Sequence, residues 1–489
     1  MNTALLRTTS IVFLSALILS TLASAQTFQD KPYSSPNGPT DVFAADLNHD
    51  GRADIVTTQF SASMVTVFLN HGDGTFTDGG SATYLTAISP VSVVVADFNG
   101  DGHPDIATAS CPTEGTQAFA SILFGNGDGT FRSHVDYPIP QCTFSLGFMR
   151  VGTDKLPSLL IADGTHIQIL RNNGAGAFTL HTIVYPGSDL FLSATGGDYN
   201  RDGFQDIAFV EQNRPLNLNR LLIMNGKSDG TFAAPRVVFS NSATATTSLF
   251  MDVINTVDVN GDGIGDLVTS FNQNGNHGGV LVFVNTGSGN FNRSMLSLVT
   301  EQFERGKIAD GDFRGIGLND IVASAEHFIN NTEQDSIVIF PATSKTTWGA
   351  PKEIVLGNVQ SPRAVVRGNF NTDAKADFAF ATGLPDRLHV FLNTTQAACA
   401  LPATAGIGIC SPKSGSTVSS PVSISATANG LSKKITAMKA YIDGKQVAAS
   451  GTNTVNASVP EPVGSHKLTV NAWDSTGKLY QATVTFTVH

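Results

Sequence analysis

Asp46-Leu-Asn-His-Asp-Gly-Arg-Ala-Asp54, running into Ile55-Val-Thr-Thr58, is the stretch on which the fold turns. The frame Asp-x-Asn-x-Asp-Gly-x-x-Asp returns as Asp97, Asn99, Asp101, Gly102, Asp105, as Asp198, Asn200, Asp202, Gly203, Asp206, and as Asp258, Asn260, Asp262, Gly263, Asp266. Oxygen side chains at positions 1, 3, 5 and 9, with a glycine at 6 for the sharp turn, are what a hard cation of calcium's size requires. An EF-hand opens the same way but needs a bidentate Glu at position 12 and an exiting helix. Position 12 here is Thr57, Thr108, Phe209 and Thr269. Each loop is followed instead by a β-branched or apolar run of strand type. One such cluster alone would be an ordinary turn, but recurrence in phase makes each a calcium-loop candidate. Crowded carboxylates without a cation repel.

Three degenerate copies complete the series. Arg150 to Ser158 keeps only Asp154, and Asp312 to Asp320 has Arg314 and Ile316 where inner oxygens should stand; no metal is expected at either. Asn369, Asn371, Asp373 and Asp377 keep their oxygens but have Ala374 for the glycine, which predicts a weak or empty site. The seven starts, 46, 97, 150, 198, 258, 312 and 369, are about 54 residues apart. That period, with several short strands per unit, marks a β-propeller.

A second marker runs in phase: Asn70-His-Gly-Asp-Gly-Thr-Phe76, Gly125 to Phe131, Asn172 to Phe178, Asn225 to Phe232 and Asn285 to Phe291 are hairpin turns ending in an aromatic, with Trp348 as the sixth. The seventh aromatic-led run stands at the N-terminus, Phe28-Gln-Asp-Lys-Pro-Tyr33, whereas the last repeat stops at Phe391-Leu-Asn393. The first strand is therefore expected to complete the last blade and leave no open edge. Within blade 1 the strands are expected at Asp41 to Ala45, Ala53 to Gln59, Met64 to Asn70 and Thr75 to Leu85.

Over roughly residues 28 to 395 the calcium-type loops and the Gly-Asp-Gly-Thr-Phe turns resemble the FG-GAP or VCBS repeats of integrin alpha-chain propellers and of many secreted bacterial proteins. The resemblance implies calcium in the hairpin between the first two strands of a blade and ligand contact on the opposite face. It does not fix a function, since such propellers serve adhesins, lectins, phospholipases and polysaccharide lyases.

Arg7, the apolar stretch Ile11 to Leu22 and Ala23-Ser-Ala25 form a secretory signal peptide over residues 1–25, its core too short for a span. The expected product is secreted: extracellular, periplasmic or held at the cell surface, with no transmembrane segment. The layout expected is a propeller over 26–396, a linker over 397–409 and, from the alternating runs and the Asp443-Gly444 turn, a small Ig-like β-sandwich over 410–489. The fold class is all-β. Four cysteines suit an oxidising compartment, with Cys111 and Cys142 able to pair and Cys399 and Cys410 forming a second local bridge.

Net charge is −11, and twelve of the forty carboxylates lie in the four full loops. With few Lys and Arg and no basic stripe, nucleic acid is a poor partner. The candidate ligands are the Asp, Asn, Asp and Asp side chains of each full loop plus the backbone carbonyls of Arg52, His103, Phe204 and Ile264, for about four structural calcium ions (Ca2+). No H-E-x-x-H, G-x-S-x-G, P-loop or C-x-x-C motif is present. The segments Cys111 to Phe119, Glu211 to Asn219, Asn272 to Gly279 and Glu326 to Asp335 are expected as long recognition loops on the face away from the metal. The function expected is non-catalytic adhesion or recognition of a glycan or protein. The alternative is a lectin or a lyase-like enzyme with its site on the central face.

Overall fold

The computed structural model describes residues 27–489 except 36, 78–81, 114–115, 144, 184–189, 214–217, 243–248, 274–276, 299–301, 304–306, 327, 330–331, 334, 357–359, 372, 374, 395–400, 403 and 419. The segment expected as a signal peptide lies outside them. The chain forms two compact units, Gln26–Thr395 and Gln396–His489. Apart from one 3-10 turn at Phe60–Ala62, the regular structure of the described residues is all strand. No helix among them is long and apolar enough to cross a membrane.

In the first unit the described strands form seven blade sheets and two small two-stranded ribbons. Blade 1 is Pro39–Ala45, Asp54–Gln59, Met64–Phe68 and Thr83–Leu85. Blades 2 to 5 repeat the plan from Pro90–Ala96, Ser145–Met149, Leu190–Gly197 and Leu249–Val257. Blade 6 has its first strand in two pieces, Gln302–Phe303 and Ala309–Gly311, both on Asp320–Glu326. Blade 7 starts at Gln360–Gly368. Its outer strand is Phe28–Ser34, antiparallel to Asp386–Asn393 in the register Phe28↔Asn393 to Ser34↔Arg387. The N-terminal strand thus closes the last sheet, as the displaced aromatic required.

The apolar residues are divided into seven clusters, each between two neighbouring blades. Strands such as Asp105–Ser110 and Ser158–Ala162 are therefore buried on both faces, their polar residues included. Stacking sheets face to face makes each blade dependent on its neighbours.

Around the axis, polar side chains of one blade bond the next. Asp41 Oδ2 accepts from the Val93 amide at 2.8 Å, Ser92 Oγ from Leu146, Ser193 Oγ from Ile254 and Asn255 Oδ1 from Ile308. Lys307 reaches past blade 7 to blades 1 and 2: its Nζ donates to Asp41 Oδ2 at 2.8 Å and to the Val93 carbonyl at 2.9 Å. The pair is largely buried, with side chains 19% and 5% exposed. Removing one partner of such a pair strands the other charge. Lys307→Met is expected to destabilise by about 3 kcal/mol, and adding Asp41→Asn should recover part of it. Denaturant unfolding of the two single variants and the double one checks this; additive losses would mean no coupling across the axis.

Because the first strand of each blade enters the Asp/Asn loop and the second leaves it, the turn between second and third strands lies on the far face. Here the expected long loops need correction. Asp206–Asn213 pairs with Leu218–Met224, and Asp266–Gln273 with His277–Asn285, so Glu211, Asn219, Asn272 and Gly279 lie within ladders. In blade 6 a small ribbon, Phe328–Ile329 on Thr332–Glu333, occupies the segment. The polar composition misled because Glu211 and Arg220 stand directly opposite and form an ion pair, Glu211 fully buried, which lets the sheet continue through charged residues. Cys111 to Thr113, Thr116 and Gln117 lie outside regular strands, and Cys111 is tied by the Cys111–Cys142 disulfide. Cys410 is disulfide-bonded too; Cys399 lies outside the described residues.

The second unit is a sandwich. One sheet is Gly406–Ser411, Val422–Asn429 and Thr454–Val459. The other joins Thr417–Val418, Leu479–Val488, Gly464–Asp474, Ile435–Ile442 and Lys445–Ser450. Alternation buries Val422, Ile424, Met438, Leu468, Val470 and Phe486 between them. Its first strand takes in the end of the stretch expected as linker.

Candidate metal centres

The four full loops share one hydrogen-bonded turn. In the first, Asp46 accepts from the amides of Asp50 at 3.1 Å and Gly51 at 2.9 Å, Asn48 Oδ1 from Asp50, and Asp50 Oδ1 from Arg52. Asp198 and Asp258 bond the amides of Asp202 with Gly203 and of Asp262 with Gly263 in the same way. In the second loop Asp97 takes Gly100 and Gly102. Asn99, Asn200 and Asn260 accept from Asp101, Asp202 and Asp262, and these three accept from His103, Phe204 and Ile264. Gly51, Gly102, Gly203 and Gly263 have φ of 83°, 86°, 90° and 80°. A Cβ there would meet no neighbour, so the backbone conformation rather than space demands glycine.

Position 9 does something different. Asp54 is wholly buried, one oxygen accepting from Leu47 at 2.9 Å and the other from Asn70 at 2.7 Å. Asp105 spans Phe98 and Gly125, Asp206 spans Tyr199 and Gly226, and Asp266 spans Val259 and Asn285. Each thus ties its loop to the end of the third strand. Burial pushes Asp54, Asp105 and Asp206 up to about 6 and Asp266 up to about 7; two backbone hydrogen bonds work against this, and the two other carboxylates of the loop add to it. Four acids buried beside like charge are what a divalent cation would relieve.

Among the described residues no three His, Cys, Asp or Glu side chains form a ready-made metal cage. The donor set nevertheless fits a hard cation. Carboxylate and amide oxygens from positions 1, 3 and 5 share one turn above the buried position 9, and an oxygen that accepts one backbone bond has a further lone pair. Zinc or copper would seek nitrogen or sulfur. The histidines lie beside this set: His49 Nε2 and His103 Nδ1 are 3.1 Å apart, joining the first two loops side by side.

Two recurring features were missed in the sequence. Position 2 of every repeat is buried: Leu47, Phe98, Val151, Tyr199, Val259, Phe313 and Phe370. Each packs into the cluster shared with the following blade, where it meets that blade's hairpin aromatic, as in Phe98–Phe178, Tyr199–Phe291 and Phe28–Phe313 at 6.0, 6.1 and 6.2 Å. The signal was an apolar residue at position 2 even where the oxygens are lost. Asn172, Asn285 and Asn393 donate to the carbonyls of Phe98, Tyr199 and Phe313, lashing each loop to the next blade.

Fold and loops together define a repeat β-propeller with Asp/Asn-rich hairpin loops, joined to an Ig-like sandwich. The chain carries FG-GAP-like repeats, matched at residues 46–108 and 198–269, and a bacterial Ig domain, matched at 407–470. No curated protein matches the chain. Among solved structures it is similar to a lectin of Agrocybe aegerita, reported for specific recognition of non-reducing terminal N-acetylglucosamine, at 17% identity and TM-score 0.40 over 76% of this chain and 87% of that one. It is similar also to the extracellular domain of a hybrid two-component system from B. thetaiotaomicron, at 12% identity and TM-score 0.43 over 95% of this chain and 58% of that one.

Proposed function

We propose that the chain is a secreted, calcium-stabilised recognition or adhesion module that binds an extracellular glycan or protein without transforming it. The observation that carries the reading is the uneven height of the ring. The second and third strands have 8 and 7 residues in blade 4 and 8 and 9 in blade 5, against 6 and 5 in blade 1. A rigid scaffold therefore raises hairpins on the face away from the Asp/Asn loops, where recognition segments are usually placed. Two cavities are lined by the first strands around the axis, one of about 100 Å³ and one of about 210 Å³. Each is below the roughly 300 Å³ at which small-ligand pockets begin, so ligand contact is assigned to the hairpins rather than to the channel. Calcium in this reading is structural.

A glycan array and a panel of extracellular proteins, probed with the full chain and with a variant in which residues 214–217 become Gly-Ser, test it. Glu211 and Asn219 stay, since both are buried in the ladder. The variant is expected to lose binding with its melting temperature unchanged. Binding retained would remove the hairpin face from the proposal. New unsaturated ends on a bound sugar would replace the non-catalytic reading with a lyase.

A further inference from the structure

Blade 6 keeps the loop backbone without its oxygens. Asp312 accepts from the amides of Ile316 at 2.9 Å and Gly317 at 2.6 Å, the same two bonds that Asp46 makes. Asp320, at position 9, is fully buried and accepts from the Ala342 amide at 2.8 Å, as Asp54 accepts from Asn70. Position 3, however, is Arg314, and its side chain turns inward. Nη2 and Nε lie 2.8 and 3.1 Å from Asp320 Oδ1, Nε is 3.2 Å from Oδ2, and Nη2 also donates to the Ala342 carbonyl. The Arg314 side chain is only 12% exposed.

We propose that the Arg314 guanidinium is the resident cation of blade 6, taking the place that a bound ion takes in the four complete loops and making this blade independent of metal. The inference rests on the calcium reading for its comparison. Charge arithmetic supports it. A complete loop has three carboxylates, so a divalent ion leaves −3 + 2 = −1; blade 6 has Asp312 and Asp320 with one arginine, −2 + 1 = −1. The guanidinium suits the role because it stays charged when desolvated and its fork matches a carboxylate. Cations touch loop acids elsewhere too, but at more exposed positions, and one of them, Arg52 on Asp50 at 3.4 Å, belongs to a complete loop. Arg171 grips Asp154 in blade 3 through Nε at 3.0 Å and Nη2 at 3.1 Å. Lys375 lies 3.2 Å from Asp373 in blade 7. Arg314 differs in gripping the buried acid at position 9.

The pattern predicts a latent site. Arg314→Asn with Ile316→Asp restores Asp-x-Asn-x-Asp-Gly-x-x-Asp at 312–320. Ion content by mass spectrometry, measured on folded protein equilibrated in calcium, is expected to rise by one ion per chain over the starting protein, and melting to become more calcium-dependent. A folded double variant with no added ion overturns the proposal. Arg314→Met tests the guanidinium directly: its loss of melting temperature should be of equal size in calcium and in chelator. No loss, or a loss that calcium repairs, overturns the proposal even if the double variant fails to fold. Should the starting protein hold no calcium at all, the calcium reading falls, while the Arg314→Met result still judges whether arginine neutralises Asp320.

Discussion

Stripping calcium near neutral pH is expected to lower the melting temperature by roughly 10 °C or more, the largest effect of any change in conditions. Each ion that binds only the native state adds about 2.7 kcal/mol when free calcium is a hundredfold above its dissociation constant, and four complete loops are available. The pH dependence gives a second signature. Asp54, Asp105 and Asp206 sit at about 6 and Asp266 at about 7 in the folded chain without metal, above the ordinary carboxylate value of 3.8. A carboxyl raised on folding binds its proton more tightly in the native state, so stability falls as pH rises between the unfolded and folded values. In chelator the protein should therefore gain stability on acidification from neutrality toward about pH 5, by an amount on the order of 2 kcal/mol per loop. Calcium, which favours the ionised carboxylates, should flatten or invert that slope. Calorimetry in chelator and in millimolar calcium at both pH values decides; identical transitions would reduce the loops to turns.

Deleting residues 26–35 is expected to abolish cooperative unfolding of the propeller and to yield associating species on size exclusion. The deletion strips the outer partner from Arg387 to Asn393. It also removes Phe28 from Phe313, Phe378 and Phe391, and Tyr33 from Phe68 and Phe76. The exposed edge is a template for another chain. A synthetic peptide spanning the deleted segment should restore the monomer. A truncated protein that stays monomeric and melts normally would show that the closure is dispensable.

Much of this was legible in residues alone, because the determinants are local. The turn at Asp46 to Asp54 needs a left-handed glycine and short side chains that bond the backbone amides beyond them, and both leave a fixed spacing. Phe28 at the wrong end of the chain disclosed the closure, since an aromatic-led strand must belong to some blade. Other features depend on atoms far apart in sequence. The buried strut role of Asp54 exists only because Asn70 is brought above it, and the Asp41–Lys307 pair joins residues 266 positions apart. Glu211 looked like a loop residue until the fold set Arg220 opposite it. Arg314 looked like the loss of a ligand; only the tertiary structure, by folding it onto the buried Asp320, showed its charge paired inside the loop. Spacing records what a turn needs, whereas burial and pairing of charge are set by neighbours that the chain order does not reveal.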